Sequence, residues 1–237
     1  MSYPVIHQAL SAGVQINKGI KADKDLIDGQ NPDAVILATG GKPITPPIPG
    51  IDKKHVVQAW DALSGNTDLG KNVVVIGGGA VGIKTGVHIS KIGTIDAHTL
   101  QFLFLRNAED IDTLRDLSTR GIKKVTIIEM LPRLGNDIGM STRWVELQML
   151  KIYDVKSMTD TKVVEITHEG VIVESNSGQE HIPCDSVVVA AGTSSDNSLE
   201  AELSGSPYHT FLIGDADRPR KAYEAIREGF ETAISIA

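Results

Sequence analysis

Val73-Val74-Val75-Ile76-Gly77-Gly78-Gly79-Ala80-Val81-Gly82 decides how this chain folds. Four apolar residues follow the polar Asn72, the pattern of a parallel strand buried on both faces. Three glycines then turn the chain into a helix expected to run to about Lys91. Their spacing fits G-x-G-x-x-G, which is weak alone but informative between a strand and a helix. Gly77 makes the tight turn, Gly79 leaves its backbone open to a pyrophosphate, and Gly82 lets the helix pack closely on the strand. The helix N-terminus offers free N–H groups and a partial positive charge to phosphates. Gly77, Gly78, Gly79, Ala80, Val81 and Gly82 are therefore candidate cofactor-binding positions; the alternative is an ordinary strand–helix turn.

The second half of that fingerprint is an acid ending the next strand. Val125-Thr126-Ile127-Ile128-Glu129 supplies it, with Met130 beside it. A carboxylate there accepts from ribose hydroxyls and repels a 2′-phosphate, which favours NAD over NADP. The alternative is a solvated carboxylate. The acid normally follows by about 20 residues. An insertion over residues 94–124 explains the excess, and its apolar residues suit two short helices at 100–105 and 111–117. We expect the run Leu100, Phe102, Leu103, Phe104 and Leu105 to be buried; a partner surface is the alternative.

Outward from this core, residues 14–17 read as a short strand entered from a helix that Gly13 ends. Residues 23–28 suit a helix, 34–38 a buried strand, and the prolines at 43, 46, 47 and 49 a stiff linker. A short helix follows at 58–63, and Ser141 can cap another running to Leu150. Short apolar runs at 163–166 and 171–173, with turns at Glu169-Gly170 and Ser177-Gly178, suggest an antiparallel meander that returns to the sheet at 187–189. A last strand covers 211–213. A final helix from about Arg218 to Ile236 carries Ala222, Ala225, Ile226 and Phe230 on one face.

The net charge of −7 gives no basic footprint for nucleic acid. The single cysteine, Cys184, excludes an internal disulfide and reads as a small strand residue rather than a reactive thiol. The seven histidines are scattered without metal-ligand spacing, so no metal site is expected. No side chain stands out as a general acid or base. Without a signal peptide or an apolar run of membrane length, a cytoplasmic protein is the expectation.

Two strands end alike, in Ala38-Thr39-Gly40 and in Ala190-Ala191-Gly192-Thr193, and a third ends in Gly214-Asp215. With residues 75–82, Leu-Ser-Thr-Arg-Gly (117–121), Glu-Met-Leu-Pro-Arg-Leu (129–134), Asp-Ile-Gly-Met-Ser-Thr-Arg-Trp (137–144) and Gly-Asp-Ala-Asp-Arg-Pro-Arg-Lys-Ala (214–222), the chain resembles the C-terminal FAD/NAD-binding portion of the 2-enoate reductase and 2,4-dienoyl-CoA reductase family. The resemblance implies an α/β protein with a Rossmann-like NAD-binding domain, a parallel sheet plus antiparallel meander, at 71–189. A partial FAD-type domain would be built from 1–70 and 190–237. It implies that Ala38, Thr39, Gly40, Gly214 and Asp215 approach FAD, and that Ala191 and Gly192 mark the return from the NAD domain. Helix capping is the alternative for Asp215. The implied reaction passes hydride from NADH to a flavin, with a flavin-containing barrel as partner domain or subunit. The chain departs from the family in three ways. It lacks the barrel with its iron–sulfur cysteines, it lacks the glycine-rich turn for FAD, and Lys84 replaces a usual Glu. That Lys either alters nicotinamide-side contacts or is simply solvated. A sheet without its first strand would expose an edge or an apolar face. We therefore expect a fragment or an incomplete relative; a non-catalytic NAD-binding module is the rival reading.

Overall fold

The computed structural model describes residues 3–236; Met1, Ser2 and Ala237, the extreme ends of the expected FAD-type segments, lie outside the described residues. The chain divides into two compact units, one from residues up to Gly41 together with those from Ser195, the other from Lys42–Ser194.

In the first unit, α1 (Tyr3–Ser11) stops before Gly13, which takes φ +84°. Helix α2 (Lys24–Gln30) starts on Asp23, whose carboxylate accepts from Leu26 N at 2.9 Å. It ends at Asn31 in the left-handed conformation, and β1 (Ala34–Leu37) follows. The strand expected at 14–17 does not form, and Val14 and Ile16 are exposed. A strand persists only where its N–H and C=O groups find a sheet neighbour, and this segment has none. Strand β2 (Gly41–Pro43) leads into the second unit.

There, β3 (Val56–Gln58) runs into α3 (Ala59–Leu63), then β4 (Asn72–Ile76) and α4 (Ala80–Ser90). The insertion forms α5 (Ala97–Leu105) and α6 (Ile111–Thr119), each capped by an aspartate, Asp96 and Asp110. Next come β5 (Lys124–Ile128), α7 (Met140–Ile152) and β6 (Lys156–Met158). The antiparallel meander is β7 (Thr161–Ile166), β8 (Gly170–Ser175) and β9 (Gly178–Pro183), and β10 (Ser186–Val189) returns to the main sheet. That sheet is parallel throughout, in the order β3-β10-β4-β5-β6.

Because side chains alternate along a strand, β4 feeds two cores. Val73 and Val75 face Ile83 and Val87 of α4 with Ile127 and Val188, while Val74 and Ile76 face Val163, Ile166 and Val171 of the meander. The expected domain break at 70/71 and 189/190 therefore differs from the observed units. Strand β3 pairs with β10, which builds residues 56–58 into the same sheet as β4. Two further expectations are corrected. Ser141 does not cap α7; Gly139 holds that position without a side-chain bond. Helix α5 has no buried residue, and Phe104 is 60% exposed, because the main packing partner of α5 is the equally short α6. Cys184 is buried just past β9, and burial, then the nearby Asp185, pushes its thiol up to about 11.

Strand β11 (Thr193–Ser195) pairs with β2 where the chain passes out of the second unit. The first unit is completed by α8 (Ser198–Glu202), β12 (His209–Leu212), a 3-10 turn at Gly214–Ala216 and α9 (Ala222–Ile236). Strand β12 runs parallel to β1, over a core of Leu37, Leu203 and Tyr208. Helix α9 starts four residues later than expected, because a residue before proline, here Arg218 before Pro219, is disfavoured in helix. The large residues of its apolar stripe are exposed, Ile226 by 73% and Phe230 by 67%.

Helix α9 is held to this unit by Glu228, which accepts from Gly214 N at 2.8 Å and pairs with Arg220 at 2.5 Å. The Gly214 amide, then Arg220, holds the Glu228 carboxyl below the usual glutamate range against the opposing effect of desolvation. A depressed folded pKa adds stability above the unfolded value, and that stability is lost as pH falls through the folded value. Acid titration followed by helical circular dichroism should show α9 loosening below the ordinary glutamate range, and Glu228→Gln should flatten that dependence.

Candidate functional site

The candidate site lies in the second unit, at the C-terminal ends of β10, β4 and β5. Successive crossovers from β4 run toward β5 and β6, while β10 and β3 lie on its other side. Open parallel sheets bind ligands at such a switch point. Backbone bonds tie the three strand ends together: Gly77 N donates to Ile128 O at 2.9 Å, and Ala190 N to Ile76 O at 2.8 Å. Gly77 has φ +107°, and a Cβ there would lie 2.4 Å from Ala190 O. A Cβ on Gly82 would lie 1.9 Å from Gly77 O, so the first turn of α4 rests directly on the loop it leaves.

Glu129 follows β5 and is only 8% exposed. Its Oε2 accepts from Gly78 N at 2.6 Å and its Oε1 from Leu131 N at 2.8 Å. A carboxylate accepts about four hydrogen bonds, so this one is oriented by the backbone and keeps capacity for a ligand. A cavity of about 480 Å³ opens beside it. Gly77, Gly79, Glu129, Met130 and Ala191, all singled out from sequence, line it. Val81 and Gly192 line a small neighbouring crevice with Trp60. Pro46 and Pro47, read from sequence as linker, form part of the cavity wall, and among the described residues Lys162 is its one basic lining residue. A second cavity, of about 440 Å³, opens at the opposite strand ends among Arg120, Lys123 and Lys156. It is remote from the glycine turn and lies at the N-terminal strand ends, whereas open parallel sheets bind ligands at the C-terminal ends.

Sequence reasoning missed Asp137. Both its carboxylate oxygens accept from Ala80 N, at 2.9 and 3.0 Å. One of the N–H groups expected to face phosphate therefore already has an acceptor within the chain. The residues are 57 positions apart, so only the Asp-Ile-Gly segment itself, quoted for its family resemblance, pointed near it. Lys84 is exposed on α4.

The remaining candidates sit together in the first unit. Ala38, Thr39 and Gly40 follow β1, and Gly214 and Asp215 follow its parallel neighbour β12, with Ile213 N donating to Leu37 O at 3.0 Å. Thr39 Oγ1 donates to Asp196 O, and Asp215 Oδ1 accepts from Arg220 N at 3.1 Å. Asp215 thus secures its own loop, and α9 starts beyond it at Ala222. Among the described residues no cluster of His, Cys, Asp and Glu could hold a metal ion, and no helix is long and apolar enough to cross a membrane.

Comparison with known proteins agrees with this architecture. The family described as pyridine nucleotide-disulphide oxidoreductase matches residues 9–229. A metal reductase of Desulforamulus reducens is 44% identical over 200 residues, covering 84% of this chain and 30% of the relative. An NADH oxidase of Thermoanaerobacter brockii is 33% identical over 231 residues, covering 95% of this chain and 31% of the relative. Among solved structures, a 2-naphthoyl-CoA reductase complex superposes with a TM-score of 0.78 at 29% identity, covering 95% of this chain and 30% of that one. The chain thus spans about a third of the length of these relatives, and the enoate/dienoyl-CoA reductase-like resemblance read from the sequence holds.

Proposed function

Because the chain belongs to the pyridine nucleotide-disulphide oxidoreductase family, we propose that it is the nucleotide-handling part of a larger flavoprotein reductase, binding NADH in the second unit and FAD against the first. Members of the family bind FAD and NAD(P)H. The observation that carries the reading is Glu129, a buried carboxylate clamped by the glycine-turn amide and facing the cavity at the strand ends.

The residues fit a dinucleotide. Gly77 and Gly79 present bare backbone to the cavity for a diphosphate, and Glu129 has free lone pairs for ribose hydroxyls. When bound, NADH supplies a hydride, and the flavin accepts it. The chain's own residues bind and orient: Glu129 selects against a 2′-phosphate, and Pro46 and Pro47 wall the cavity with backbone that cannot donate a hydrogen bond. The loops after β1 and β12, with Asp215, form the FAD-facing edge of the first unit. The onward acceptor of enoate or dienoyl type, the barrel-containing partner domain or subunit, and a cytoplasmic setting complete the proposal.

Separate calorimetric titrations with NADH, NADPH and FAD test it. Tighter binding of NADH than of NADPH supports the assignment of Glu129, and absence of NADH binding sinks it. The rival is a non-catalytic NAD-binding module; among the described residues the sheet of the first unit is the pair β1-β12, and its loops alone would have to hold the flavin. FAD binding followed by NADH bleaching of the yellow complex would eliminate that rival.

Gly79→Ala separates binding from folding. Gly79 has φ −73°, which any residue adopts, and its Cβ would sit 3.2 Å from the Asp137 carboxylate. The fold should lose no more than about 1 kcal/mol, while NADH affinity falls at least about tenfold because the methyl group occupies the diphosphate approach. Calorimetry alongside urea denaturation reads both, and unchanged affinity would move the phosphate site elsewhere.

A further inference from the structure

Residues 134–138 are clipped onto the glycine turn. Gly135 N donates to Gly78 O at 2.7 Å, Arg143 Nε donates to Leu134 O at 2.8 Å, and Asp137 takes the Ala80 amide with both oxygens. The Cβ position of Gly79 faces those same oxygens at 3.2 and 3.3 Å. Asp137 therefore covers two features that a dinucleotide needs: the first free amide of α4 and the bare face of the glycine before it.

We propose that Asp137 is a built-in competitor for the diphosphate, an internal anion that lowers the affinity of the site for NADH. The inference rests on the dinucleotide reading of the cavity beside Gly77, Gly79 and Glu129. Two anions cannot share one amide donor without strong mutual repulsion. The Asp137 carboxylate must leave Ala80 when a diphosphate arrives. Its release is easy: Asp137 is exposed, and among the described residues its side chain bonds only to Ala80 N. A carboxylate at a helix N-terminus is itself favourable, so the turn holds its shape in the absence of nucleotide. The two acids thus divide the work. Glu129 is buried with both oxygens fixed and serves as part of the site, whereas Asp137 is exposed, held by one donor, and displaceable.

The test compares the full chain with Asp137→Asn and Asp137→Ala by calorimetry, using NADH and adenosine as probes. Asn keeps the shape and an accepting oxygen but removes the charge. NADH should bind both variants about tenfold more tightly than the unaltered chain, while adenosine, which has no phosphate, should bind all three equally. The NADH gain should shrink at high salt, where the repulsion being relieved is already screened. NADH binding that is unchanged or weakened in both variants would overturn the proposal and show that Asp137 holds the turn in its binding shape, leaving the dinucleotide reading intact. A gain for adenosine equal to that for NADH would also overturn it, since the effect would not depend on the phosphate. Failure of NADH to bind any of the three chains would remove the dinucleotide reading and this proposal with it.

Discussion

Gly82→Ala is expected to destabilise the fold by about 3 kcal/mol or more, at the upper end of what overpacking costs. The added Cβ would stand 1.9 Å from Gly77 O and 2.9 Å from its carbonyl carbon. Neither is the tip of a flexible side chain that could swing away. Relief requires α4 to lift from β4, and α4 carries Ile83, Val87 and Ile89 into the core on that face of the sheet. Urea denaturation should show a large drop in the midpoint, or too little soluble protein to measure. A loss below about 1 kcal/mol, no more than the average point substitution costs, would mean that α4 does not rest on the turn as closely as described.

Glu129→Ala is expected to damage folding and binding together. Hydrogen bonds to a charged group contribute about 1.5–3 kcal/mol each, and here two backbone amides would lose theirs. A net stability loss of about 2–4 kcal/mol follows after water reaches part of the vacated space. NADH affinity should fall about 10- to 100-fold, the loss of one charge-assisted hydrogen bond to ribose. Glu129→Gln keeps one carbonyl oxygen and should recover part of the stability but little of the preference for NADH over NADPH. Unchanged stability in Glu129→Ala would refute the clamp on Gly78, and unchanged affinity would take the ribose away from this side chain.

The parts of this molecule that were legible in sequence are those whose cause is local. The triple glycine, the buried run of β4 and the turns at Glu169-Gly170 and Ser177-Gly178 each act within a few residues, so strand, helix and meander could be read directly. The insertion's two helices were found by apolar content, and their true starts lie at the capping aspartates Asp96 and Asp110. What could not be read is what depends on a distant partner. Val14 and Ile16 have strand composition but no neighbouring strand. Residues 56–58 belong to the nucleotide-side sheet only because β10 pairs with them. The apolar stripes of α5 and α9 have the composition of packed helices, yet Phe102, Phe104 and Leu105 of one and Ile226 and Phe230 of the other are exposed. In the candidate site, Glu129 was legible by type and strand position. Its grip on Gly78 and the contact of Asp137 with Ala80 were not, since both span more than 50 residues.

The second unit is one unbroken stretch of chain, whereas the first is assembled from segments on either side of it. On the ribosome this imposes an order. Residues 42–194 emerge together with every strand of their sheet and can close during synthesis. Among the described residues β1 pairs with β12, so that pairing can form only after the whole of the second unit has been made between them. A protease added to stalled nascent chains should spare the middle of the sequence well before it spares the start.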